Sequence, residues 1–520
     1  MIDRSGFFPP RYGRQHAGKD LCGTVETRGG GGVGPHPVVW IGAAAGVGGV
    51  HSTDEAGESR WREGALVLEC FLRKGRVRRL GDLRTPDTIR NLQRKLYLKA
   101  KKEPEYRFYA LYDKLYRDDI LAHAYEVARA NEGAPGVDGV TFKAIELRDE
   151  GVEALLAELK EELKTGTYRP KAVRRVYIPK PDGGQRPLGI PCIRDRVAQA
   201  AAKLVLEPIF EADFTSNAYA YRPKRGAHQA IKHVHRLLQD GYVDVVDADL
   251  SKYFDTIPHA ELMRSVARRV SDRKILALVK SWLRMPVEER TEKGKRTLTG
   301  PGGHGVGTPQ GGVISPLLAN IYMRRFLLSW DKWELPKKLQ AHVVNYADDF
   351  VILCRGTAHA AKDAAETILS RLKLTLSAEK TRVVNAWQDS FDFLGYTFGR
   401  CFKAGSSSVY LGAKPSKKRV QRFYKRVREF LHRGNQMEPT MAVERVNSRM
   451  LGWAFYYSYG TISRTYKRVD RLVSRRLRAW LCRRHGVHGR GTRRFPDEVL
   501  YGTYGLVRLL DVLARRRSHA

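Results

Sequence analysis

The sequence is short of several things, and each shortage excludes a class. Its 520 residues include six cysteines, at positions 22, 70, 192, 354, 401 and 482, and no two form a CxxC pair. Such scatter excludes a disulfide framework and a zinc knuckle, and it fits a reducing, intracellular setting. Long apolar runs are missing too. The best, "VVWIGAAAGVGGV" at 38–50, is short and glycine-rich, so no membrane span is expected. The amino terminus lacks a charged segment followed by an apolar one, which argues against a secretory signal. Acids are outnumbered, 56 Asp+Glu against 93 Lys+Arg, for a net charge of +37. An excess of this size points to a polyanionic partner, nucleic acid first. The plainer alternative is a basic protein of ribosomal type.

A chain this long is expected to form about two to four domains. Residues 1–84 contain "RGGGGVGPHP" and show no clean period, so they read as a low-complexity, disordered extension. From about Thr85 the pattern becomes helix-rich. Val152, Leu155, Leu156, Leu159 and Leu163 fall on one helical face, and Gly166 follows as a stop. "RRVYIPKPDGGQRPLGIP" at 174–191 alternates and turns at Asp182-Gly183-Gly184, the signature of a hairpin. Helices are expected over 193–211, 226–238, 259–285, 316–330 and 358–373, with strands at 242–250, 342–346 and 350–354. This mixture suits an α+β domain, an antiparallel sheet backed by helices. After Lys414 the sheet signal fades. Residues 414–490 carry 21 Lys/Arg and 4 Asp/Glu, interleaved with aromatics as in "RMLGWAFYYSYG". Bases stack on rings and guanidinium planes, so this helical region reads as a contact for RNA or DNA. Trp453, Tyr456 and Tyr457 could equally be helix core.

Against this basic background two acids stand side by side. "VNYADDFVILC" sets Asp348 and Asp349 at the tip of an expected hairpin, and Asp249 ends another strand in "VVDADLSKYFDTI". One sheet could join the two places. Three converging carboxylates repel one another unless cations neutralise them. Mg²⁺ favours such hard oxygen donors. Two ions roughly 3.5–4 Å apart can clamp the attacking and leaving oxygens of a phosphoryl transfer. The alternative is that the two acids merely satisfy a turn.

With these motifs in view, the chain resembles the reverse transcriptases encoded by bacterial group II introns, which are also maturases. The resemblance runs over about residues 85–490, with the motifs in order. It includes "NEGAPGVDGVTF", "YIPKPDGGQRPLGIPCIRDRVAQAA", "SNAYAYRPKRGAHQAI", "DADLSKYFDTI", "GTPQGGVISPLLANIYM", "YADD", "LSAEKT" and "FLGYTF". The resemblance implies a right-hand polymerase, with fingers and palm over 85–400, a helical thumb/maturase domain over 401–490 and a short basic tail over 491–520. It further implies that Asp249, Asp348 and Asp349 hold two Mg²⁺ ions, assisted by the Leu250 carbonyl. Phe254 would be the steric gate that favours dNTPs. Lys180 and Arg186 would reach the triphosphate, Gln310 the incoming nucleotide or the minor groove, and Lys380 the triphosphate or departing pyrophosphate.

The implied partners are group II intron RNA, target and primer DNA, and dNTPs, with a homodimer admitted. The implied setting is bacterial, cytoplasmic and nucleoid-associated. Many relatives end in an HNH nuclease with paired cysteines. Only 30 residues follow Arg490 here and Cys482 stands alone, so the endonuclease-lacking type is expected, its primer coming from elsewhere. Two other readings stay open: a splicing maturase without polymerase activity, and a reverse transcriptase domesticated for repair or defence.

Overall fold

The computed structural model describes residues 83–179, 183–290, 296–299, 305–403 and 406–518. The extension before residue 83 and Lys180 lie outside the described residues. In chain order, helices α1 (Asp87–Lys102), α2 (Asp118–Ala130) and α3 (Gly151–Thr165) precede strands β1 (Val173–Pro179) and β2 (Gln185–Ile190). Helices α4 (Ile193–Glu211) and α5 (Ala227–Gln239) follow, then β3 (Asp244–Asp249). Next come α6 (His259–Ala267), α7 (Arg273–Leu283), β4 (Val287–Arg290), β5 (Arg296–Thr299) and α8 (Ser315–Lys332). The hairpin β6 (His342–Tyr346) and β7 (Asp349–Cys354) leads to α9 (Ala358–Arg371), β8 (Arg382–Asn385), β9 (Phe391–Phe393), β10 (Tyr396–Phe402) and β11 (Val409–Pro415). Last are α10 (Lys417–Phe430), α11 (Pro439–Tyr456), α12 (Ser463–Arg484) and α13 (Leu509–Ser518).

The central sheet has the order β6-β7-β3-β8, all antiparallel. Strands β3 and β7 are buried on both faces. Val246, Ala248, Phe350 and Ile352 enter the main helical core, while Val245, Val351 and Leu353 join a second core with Phe391, Phe393 and Phe398. This period-2 division is why "VVDADL" and "DFVILC" read as strands, and why their register is firmly set. The fingers sheet, β2-β1-β4-β5, is separate, as is β11-β10-β9. The sheet structure crosses residue 400, and the basic helices begin at Lys417. The expected helix at 259–285 is two helices, α6 and α7, separated by a turn that Asp272 caps.

Helices α10 to α12 build a core of their own. Val420, Phe423 and Val427, at i, i+3 and i+7, face Val443, Val446 and Met450 and also Val469, Val473 and Leu477. The opposite faces carry exposed Lys417, Lys418, Lys425 and Arg426 on α10 and Arg464, Lys467, Arg468 and Arg471 on α12. Tyr456 and Tyr457 pack into the joint with the palm. Tyr457 stacks on Tyr396 at 5.3 Å, Tyr456 Oη donates to the Leu394 carbonyl at 2.9 Å, and His228 Nε2 donates to the Tyr456 carbonyl at 2.6 Å. "GWAFYYSYG" therefore forms part of the packed joint between thumb and palm.

Candidate active site

The register of β3 against β7 pairs Asp249 directly with Asp349. Asp348 occupies the two-residue turn before Asp349, since Tyr346 pairs with Asp349 across the hairpin. Two tight strand ends thus bring together acids that stand far apart in the chain. The turn itself is unusual. Ala347 has φ +60, a region that ordinarily favours glycine. Asn345, only 1% exposed, holds it by donating Nδ2 to the Ala347 carbonyl at 2.8 Å. The Asn345 carbonyl in turn accepts from the Tyr219 N–H at 3.1 Å. Sequence reasoning passed over Asn345. Its signal was a lone amide inside the apolar run "VVNYADDFVILC".

Like charges placed directly across a strand pair repel, and the acids register this. Asp349 reaches solvent at the end of an interior strand. Loss of hydration there, with Asp348, Asp249 and Asp247 beside it, pushes its carboxyl up to about 7. Asp348 is also raised, chiefly by loss of hydration and further by Asp249, with Arg186 and Lys380 opposing. Among the described residues neither Asp348 nor Asp349 has an ion-pair partner.

Asp249 differs. Lys380 Nζ donates to Asp249 Oδ2 at 2.8 Å. The "LSAEKT" loop is seated there by the Ser377 N–H, which donates to the Asp249 carbonyl at 2.8 Å. Leu250 bridges to Leu376 through bonds made by the flanking residues Ser251 and Ser377, and those bonds leave its own carbonyl untaken. One layer below, Asp247 accepts from Arg382 Nε at 3.1 Å.

A second chain of contacts ties fingers to palm. Arg186 Nε, on β2, donates to Gln310 Oε1 at 3.1 Å, and Gln310 Nε2 donates to the Asp255 carboxylate at 3.0 and 3.1 Å. The Gly189 N–H also donates to the Gln310 carbonyl at 2.6 Å. Gly311 permits this approach: it has φ +114, and a Cβ there would meet the Gly189 carbonyl at 2.4 Å. Phe254 follows Asp249 by five positions, is 7% exposed, and forms an edge-to-face pair with the Tyr221 ring. The structure therefore gathers Asp249, Leu250, Phe254, Asp348, Asp349 and Lys380 around one sheet end, with Arg186 and Gln310 beside them.

Residues 178–398 match the family described as "Reverse transcriptase (RNA-dependent DNA polymerase)", and residues 420–495 match "Group II intron, maturase-specific domain". Protein YkfC of Escherichia coli (strain K12) is 36% identical over 345 residues, covering 59% of this chain and 87% of that protein. The group II intron-encoded protein LtrA of Lactococcus lactis subsp. cremoris is 30% identical over 352 residues, 56% of each chain. The chain belongs to the group II intron reverse transcriptase/maturase family. As a reverse transcriptase/maturase it is an RNA-directed DNA polymerase joined to a splicing domain, in the right-hand fold. The chain spans about half the length of the lactococcal relative. No helix among the described residues is long and apolar enough to cross a membrane.

Reverse transcriptases of this family work with Mg²⁺. The donor set fits such an ion: hard carboxylates from adjacent strand ends, one raised to about 7 by loss of hydration and then by the neighbouring acids, and the Leu250 carbonyl beside them. As the side chains stand, no three acids or other ligating groups among the described residues converge closely enough to enclose a metal. Lys380 engages one of the two Asp249 carboxylate oxygens, Oδ2.

Proposed function

We propose that this reverse transcriptase/maturase copies its intron RNA into DNA at a two-ion Mg²⁺ site, primed from target DNA, and that its thumb binds the same RNA to promote splicing. The observation that carries the reading is the Asp249–Asp349 register with Asp348 in the adjoining turn. Asp249, Asp348 and Asp349 would hold the ions, with the Leu250 carbonyl as a further donor. Bound there, the ions would supply the positive charge that activates a primer 3′-hydroxyl and stabilises departing pyrophosphate.

The chain's own residues do the rest. Arg186 and Lys180 bind triphosphate oxygens, the guanidinium by paired donors and the ammonium as a point charge. Phe254 blocks a ribose 2′-hydroxyl and so selects dNTPs. Gln310, braced between Arg186 and Asp255, positions the nucleotide or the minor groove. Lys380, paired with Asp249 in the metal-free protein, meets the triphosphate and gives a proton to the leaving group. Fingers and palm occupy 85–400, thumb and maturase 401–490, and a basic tail 491–520. The partners are intron RNA, DNA target and primer, and dNTPs, with a homodimer as the tested oligomer.

Primer extension by purified, folded protein on an RNA template with dNTPs and Mg²⁺ tests the polymerase. DNA product is expected, and its absence would leave a binding maturase. Light scattering tests the dimer.

A further inference from the structure

Tyr221 sits in a loop that the rest of the molecule holds from all sides. Its backbone has φ +54, where a side chain of this bulk is a genuine outlier. The residues on either side are fixed independently. Asn320 Nδ2 donates to the Ala220 carbonyl at 2.8 Å. Arg222, 6% exposed, is clamped by Glu211 at 2.7 and 2.9 Å and donates to the Thr215 and Ala218 carbonyls at 2.6 and 2.7 Å. The Tyr219 N–H is anchored on Asn345, the residue that shapes the turn bearing Asp348. Strain persists only where the surroundings over-determine it, and it gathers at functional sites.

The strain has a product: it brings the Tyr221 ring against Phe254. The ring centroids are 6.5 Å apart at an interplanar angle of 83°, an edge-to-face pair. Tyr253 contacts the Phe254 ring at 5.7 Å and 71°, and the Phe254 carbonyl is held by the Thr308 N–H at 2.7 Å. Backbone and both ring contacts together leave Phe254 little freedom to turn. A gate ring excludes a hydroxyl only if it cannot swing aside, because rotation about χ1 and χ2 is otherwise cheap.

We propose that Tyr221 is the backstop of the Phe254 ring and, through it, a determinant of sugar selectivity. This rests on the reading of Phe254 as the gate. Tyr221 is a positioning residue: its ring supports the gate, and its hydroxyl is dispensable for that task.

The test compares single-nucleotide insertion of dNTP and rNTP by the full chain. Tyr221→Phe keeps the ring and should discriminate as the parent does. Tyr221→Leu fills similar space, bears the same backbone strain and has no ring. It should lose about three- to tenfold of the discrimination, the worth of one aromatic pair. The loss should appear as a lower KM for rNTP, with kcat for dNTP unchanged. A merely structural role would instead lower kcat for both nucleotides together. Tyr221→His, a smaller ring, should recover part of the selectivity and serves if the leucine variant misfolds. Phe254→Val is the control for the gate. If it loses discrimination while Tyr221→Leu and Tyr221→His match the parent, the backstop is overturned and the gate stands. If Phe254→Val also discriminates normally, the gate reading falls and the backstop falls with it.

Discussion

Two acidic places in this molecule are built in opposite ways. Asp272, 8% exposed, accepts from four backbone N–H groups: Leu111 and Tyr112 at 2.9 Å, Lys274 at 3.0 Å and Ile275 at 3.2 Å. Its charge is consumed in capping α7 and stapling the start of the fingers to it. At the palm corner Asp348 and Asp349 have no ion pair among the described residues, and the Asp349 carboxyl is pushed to about 7. Asp272 satisfies its charge within the protein, whereas the palm acids leave theirs for a ligand to complete, as the proposed metal site requires.

That contrast can be broken in order of expected effect. Asp348→Ala should lower primer extension by at least about a thousandfold, while RNA-assisted splicing, assayed with the same preparation, stays near the parent. Parallel loss of both would mean Asp348 is a staple too. Asp272→Ala should do the reverse. Four stranded N–H groups cost about 2–4 kcal/mol of stability, read by denaturant unfolding, and activity per folded molecule should hold.

The pH dependence follows from Asp349. Its folded carboxyl is raised above the usual value, so the folded state binds the extra proton, and stability in the metal-free protein should fall as pH rises from about 4 to 7. Metal must displace that proton, so Mn²⁺ affinity, read by paramagnetic resonance, should climb about tenfold per pH unit below 7 and level off above it. A flat profile would remove Asp349 from the ligand set. The smallest effect belongs to Lys380. Its side chain is 62% exposed, so Lys380→Met should tighten Mn²⁺ binding in the absence of nucleotide by no more than about fivefold. Weaker binding would show that the lysine holds Asp249 in place for the metal.

Much of the fold was readable residue by residue. Helix α4 spans the expected 193–211, and β6 the expected 342–346; both are buried on nearly all sides, so run length and flanking residues, more than amphipathic period, mark their type. The three acids were visible as strand-end residues, and the family resemblance supplied roles for their neighbours. Strands β8 to β11 went unremarked. They are short or broken by glycine, and they take their order from pairing with β3 and with one another. Tyr456 and Tyr457 were open between RNA contact and core, and only the packing against Tyr396 and His228 assigns them to the joint with the palm.

The line between the two kinds of information runs at sequence separation. Charge excess, element periods and the presence of "YADD" belong to the chain as written, since each depends on neighbours within a few positions. The pairing of Asp249 with Asp349, the capture of Asp249 by Lys380, the bracing of Gln310 and the pinning of Tyr221 onto Phe254 depend on folding. Each joins segments dozens to more than a hundred residues apart. Strand register and close side-chain fit select those partners, and neither leaves a local pattern to read.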